Sequence, residues 1–77
     1  MAWVAAQARL VDLLFTHTTT RRVEALTELA NVAERRALER AGLLREGITR
    51  GGQWRGGVYL DGVVHAALRD DPQPPPA

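Results

Sequence analysis

Between residues 22 and 68 the apolar positions recur at a strand period, then a helix period, then a strand period again, and this limits the folds open to the chain. Over residues 22–29, Val23, Ala25, Thr27 and Leu29 face one way while Arg22, Glu24, Leu26 and Glu28 face the other, as in a strand covered mainly on one side. Over residues 30–41, Ala33, Ala37, Leu38 and Ala41 share the inner side of a helix, with Glu34, Arg35, Arg36, Glu39 and Arg40 on the outer side. Asn31 leads this helix, and Gly42 stands where a left-handed C-cap would close it. Residues 43–50 and 58–68 read as two further strands, joined by the Gly- and Trp-containing segment 51–57 as a long hairpin loop. Gly62, inside the last strand, predicts a bulge or a close backbone approach.

A helix over residues 3–17 precedes the first strand. Ala5, Arg9, Asp12 and Thr16 form one narrow solvent stripe, while Trp3, Val4, Leu10, Val11, Leu13, Leu14 and Phe15 spread over the remaining circumference. So wide an apolar surface predicts burial against a sheet on a broad front. The polar, β-branched run around Thr18 to Thr20 suits a connection rather than more helix. The order helix, strand, helix, strand, strand gives an α/β chain, an α+β fragment with two helices on one face of a small three-stranded sheet. Its opening helix and first strand make the second half of a crossover whose first strand is expected from outside these residues.

Seventy-seven residues make one domain at most, placed at 1–69. The remainder, 70–77, reads as a disordered Pro-rich tail. A domain this small buries only ~60% of its unfolded surface, so association with a second copy or a complementing chain is expected. The net charge is +1, every cation is an arginine and the signs are interspersed, which argues against a nucleic-acid partner. There is no cysteine, hence no disulfide, no thiolate nucleophile and no Cys-based zinc site. Gln7, Arg9 and Asp12 interrupt the N-terminal apolar run, so neither a signal peptide nor a membrane span is expected, and a cytoplasmic location is.

Few residues offer chemistry. Asn31 and Glu34 have the spacing of a capping box, in which each side chain satisfies an orphan backbone donor. That role is sufficient for Glu34 and is compatible with a ligand contact for Asn31. Tyr59 is a packed aromatic or an acid. His65, in the run from Val63 to Leu68, reads as a partly exposed strand side chain, and His17 has no second ligand nearby, so no metal site is expected. Arg21, Arg22, Arg35, Arg36 and Arg40 could meet an anion, although a solvated face balanced by Glu34 and Glu39 explains the helical ones equally well.

Taken in order, the strand from Arg22, the Asn31-led helix, Gly42 eleven residues on, the following Leu43, the Arg45-Glu46-Gly47 run and Asp61 resemble the C-terminal half of GNAT-type N-acetyltransferases. The likeness is to the branch that acetylates ribosomal proteins and other protein N-termini. It implies acetyl-CoA as co-substrate, an amine as acceptor, direct acetyl transfer, and a last strand lying between the other two and antiparallel to both. It also implies that Asn31 lies close to the acyl-CoA arm, that Arg36 reaches the nucleotide phosphates, and that Glu34 and Tyr59 are weak catalytic candidates. Leu38 stands where many members have a proton-donating Tyr. The family's Gly-rich diphosphate loop and the strand before it would precede Trp3, so the chain alone is expected to be inactive. The alternative is a non-catalytic module that dimerises through the open edge of strand 22–29.

Overall fold

The computed structural model describes residues 2–72, with side chains from Val4 onward. Its elements are α1 (Ala2–His17), β1 (Arg22–Glu28), α2 (Val32–Arg40), β2 (Leu44–Arg55) and β3 (Val58–Leu68). The sheet order is β1-β3-β2, and β3 is antiparallel to both neighbours. Arg69 N–H donates to the Arg21 carbonyl and Leu29 N–H to the Asp61 carbonyl, each at 2.9 Å. Both pairs continue the β1–β3 register, so odd-numbered residues of β1 bond β3 and even-numbered ones turn their backbone groups to the free edge.

Side chains of the odd residues face the helices. Val4 of α1, Ala37, Leu38 and Ala41 at the end of α2, Leu43, and Ala67 of β3 form the buried cluster, with Ala8, Val11, Phe15 and Ala25 packed against it. The stripe on α1 is therefore Val4, Ala8, Val11 and Phe15, at spacings of four, three and four. Ala5, Arg9, Asp12 and Thr16 are exposed as expected. The broad burial expected for α1 does not occur: Leu10 is 58% and Leu13 37% exposed. A helix lying on a small sheet covers one stripe, and these two leucines point away from it.

Helix α2 ends in a Schellman motif. Gly42 has φ 100°, its N–H donates to the Glu39 carbonyl at 3.1 Å, and Leu43 N–H reaches the Leu38 carbonyl at 3.0 Å. The reversal buries Leu43 to 2% exposure directly after the helix.

The hairpin departs from expectation. Strand β2 runs to Arg55, and the turn is only Gly56-Gly57, both at positive φ (59° and 83°), as a two-residue primed turn requires. Gly51-Gly52 belong instead to an irregularity within β2, where the register jumps from Thr49↔Gly62 to Gln53↔Leu60. A Cβ on Gly52 would stand 2.3 Å from Thr49 Oγ1, so only glycine fits this fold of the strand. Asp61 lies opposite and accepts from Gly51 N–H through Oδ1 at 2.8 Å. Gly62 is the close approach expected: a Cβ there would stand 2.8 Å from Thr49 Oγ1 and 3.2 Å from the Thr27 carbonyl.

Arg69 closes the domain. Its guanidinium donates to the carbonyls of Phe15, Thr18 and Thr20 and lies 5.4 Å from the centre of the Phe15 ring. It thereby satisfies orphan carbonyls at the end of α1 and in the link to β1. Of the tail expected over 70–77, the first residues form a hydrogen-bonded turn. Asp71 N–H donates to the Leu68 carbonyl at 3.0 Å, and its Oδ2 accepts from Leu68 N–H at 2.9 Å. Residues 73–77 lie outside the described residues.

Candidate functional site

Chemistry-bearing side chains gather where β1 gives way to α2. The chain leaves the sheet at Glu28, whose carbonyl accepts from Asn31 N–H at 3.0 Å. Asn31 is the N-cap, and its Oδ1 accepts from Glu34 N–H at 3.1 Å. Glu34, in the first turn of α2, accepts through Oε1 from Gln7 Nε2 of α1 at 2.7 Å. A carboxylate at a helix N-terminus is favoured by the macrodipole, and here it is also tied to the neighbouring helix. Gln7 was not singled out from the sequence. Its partner is 27 residues away, beyond any local pattern.

Asn31 and Glu34 are thus together, while the other two candidates lie apart from them. Arg36 follows Glu34 by two residues, which places it on the opposite side of the helix, exposed and without an ion pair among the described residues. Tyr59 sits near the hairpin end at 70% exposure, edge-to-face with Trp54 at a centroid distance of 4.7 Å. The hairpin end also carries an ion pair between Arg55 and Glu28, 2.7 Å apart, which ties β2 to the last residue of β1.

His65 corrects an expectation. It is fully buried rather than partly exposed, at the centre of β3, with Nε2 2.8 Å from Glu39 Oε2. The His65 hydrogen bond, with smaller help from the Arg45 and Arg35 charges, holds the Glu39 carboxyl below its ordinary value against the cost of desolvation. With a carboxylate at Nε2, that nitrogen carries the proton in the neutral ring. The other ring nitrogen, Nδ1, is buried without a hydrogen-bond partner. This arrangement pins the last turn of α2 to the sheet centre while the first turn carries Asn31 and Glu34. Among the described residues no group of three or more His, Cys, Asp or Glu could hold a metal, and no helix is long and apolar enough to cross a membrane.

No family model and no curated protein matches the chain. Solved structures do. A GCN5-related N-acetyltransferase from Brucella melitensis is 30% identical with a TM-score of 0.77 over 86% of this chain. Mycobacterium smegmatis RimJ, in complex with CoA-disulfide, is 27% identical with a TM-score of 0.80 over 86% of the chain. This is part of a GNAT N-acetyltransferase fold. The ribosomal-protein-S5-alanine acetyltransferase of Vibrio fischeri shares it at a TM-score of 0.82 over 92% of the chain, with 21% identity. The chain spans 30%, 32% and 39% of those three GNAT proteins respectively. The β1-β3-β2 order and the two helices are as the resemblance implied. Leu38, set by the resemblance where many members have a Tyr, is a core residue at 5% exposure.

Proposed function

We propose that the chain is the C-terminal portion of an acetyl-CoA-dependent N-acetyltransferase, passing an acetyl group to an amine once the rest of the fold is supplied. The observation that carries this reading is the α2 N-terminus. Asn31 spends its oxygen on the cap, and with no partner for its amide N–H groups among the described residues, these suit donation to the acyl-CoA arm. Arg36, exposed and without an ion pair among the described residues, suits the nucleotide phosphates. Bound acetyl-CoA would supply the activated acyl carbonyl. The amine nitrogen bonds to that carbon as the C–S bond breaks, and the amine proton is lost as the thiolate gains one. Glu34, fixed by Gln7, and the exposed Tyr59 are the residues assigned to proton movement. A cytoplasmic setting goes with this reading.

The test is twofold. Calorimetric titration of the chain alone with acetyl-CoA should show no binding in the micromolar range. Joining the chain to the N-terminal remainder of a GNAT protein should restore binding and amine-dependent CoA release, and Asn31→Ala should weaken both. Micromolar binding by the chain alone refutes the requirement for the remainder. A well-folded fusion that never turns over refutes the acetyltransfer.

A second reading, a non-catalytic module that pairs through β1, is favoured by one observation. Arg22, Glu24, Leu26 and Glu28 turn their backbone groups to a free edge.

A further inference from the structure

Resting on that second reading, we infer that the partner at the β1 edge is a second copy of this chain, paired antiparallel in a single register with Ala25 on the twofold axis. Only even-numbered residues can bond across this edge, because the odd ones are bonded to β3. A symmetric antiparallel pair must therefore match even residues with even residues, which leaves few registers. With Ala25 facing its own copy, Arg22 lies opposite Glu28 of the second copy and Glu24 opposite Leu26, each twice by symmetry. Sliding one step in one direction sets Glu24 against Glu24. Sliding the other way puts Leu26 on the axis and sets Glu24 against Glu28 twice. A parallel in-register pair would lay Arg22, Glu24 and Glu28 each beside itself. Like charges directly opposite one another destabilise a strand pair and opposite charges stabilise it, so among the registers that pair most of the strand charge selects the first arrangement.

The neighbouring ion pairs support the same choice. Arg22 already meets Glu24 and Glu46 on the open face, and Glu28 meets Arg55. In the chosen register these groups join across the axis into one alternating network running from Arg55 through Glu28 to Arg22 and Glu46 of the second copy. The Glu28 carbonyl already accepts from Asn31 N–H, so the new ladder ends there and is short. The product is a continuous sheet with both helix layers on one side, built by a weak and reversible contact.

The chain has no cysteine, so single-cysteine variants report on the register without background. Residues on the axis that do not bond across the edge have Cα atoms ~4.5 Å apart, within reach of a disulfide. Under mild oxidation Ala25→Cys should form covalent dimers, while Glu24→Cys and Leu26→Cys should remain monomers. Sedimentation should show wild-type dimer at roughly millimolar chain, the weak end of specific association. Glu24→Pro removes an outward N–H without touching the bonds to β3. It should sediment as a monomer with an unchanged circular dichroism spectrum. If Ala25→Cys fails to fold, the paired variant Val23→Cys/Thr27→Cys probes the same register, since those two positions face one another across the axis. A wild-type chain that stays monomeric overturns both the pairing and the second reading behind it. A dimer trapped through Glu24→Cys or Leu26→Cys overturns the register alone.

Discussion

Replacing Glu39 should expose how much the fold depends on a side chain that the sequence places on the helix exterior. Glu39→Ala leaves the fully buried His65 without its Nε2 partner, and Nδ1 has none to begin with. An orphaned buried polar group costs about 1–3 kcal/mol. Glu39 is itself about half exposed, at 48%, and water entering from that side lowers the expected cost to about 1–2 kcal/mol. A domain of this size has roughly 4–10 kcal/mol in all, at the usual stability per residue. The loss should lower the melting temperature by ~4–16 °C. Pairing Glu39→Ala with His65→Leu in a double-mutant cycle isolates the contact, and a coupling of ~1 kcal/mol is expected. The pH dependence has a definite sign. The carboxyl is held below its ordinary value of 4.5 in the folded state, so its contribution is present above that pH and disappears as pH falls through the lower folded value. Melting curves of wild type and Glu39→Gln should therefore draw together as pH falls below 4.5 and merge only beneath the lower folded value. Additive losses in the cycle, or a gap between the two proteins that persists in acid, would refute the reasoning.

Other outcomes follow from single contacts and are read by thermal or urea melts. Arg69→Met keeps the aliphatic stem but removes the donors to the Phe15, Thr18 and Thr20 carbonyls, and should cost about 2–3 kcal/mol; a loss under 0.5 kcal/mol would show that water replaces the guanidinium. Gly42→Ala forces a side chain into φ 100° and should destabilise by about 1–2 kcal/mol, whereas an unchanged midpoint would mean the helix end relaxes. Asn31→Ala should lose ~1 kcal/mol of capping energy, and Asn31→Asp or Asn31→Ser should recover most of it; failure of both to rescue would assign the residue a role other than capping.

Much of the scaffold was legible because it is specified locally. The alternation of Val23, Ala25 and Thr27 decides which face of β1 meets the helices, and Asn31 and Gly42 mark the ends of α2 by their own conformational preferences. The hairpin was misread because glycine is used twice there for different reasons. Gly56-Gly57 supplies positive φ for a tight turn, and Gly52 supplies room beside Thr49; composition alone does not separate the two. The site contacts were hidden for another reason. Gln7 meets Glu34 and His65 meets Glu39 across 27 and 26 residues, distances that no periodicity spans. Leu10 and Leu13 show the limit of counting apolar residues, since how much of a helix is buried depends on the width of what it lies on.

Asp61 has a mechanical consequence. Its carboxylate grips Gly51 in the bulge of β2, and its carbonyl grips Leu29, two residues before the α2 cap. One residue thus works as a pivot between the arm bearing Trp54 and Tyr59 and the base from which Asn31 and Glu34 project. Removing the Asp61 carboxylate would therefore loosen the bulge of β2 beside the strand pairing that leads into α2.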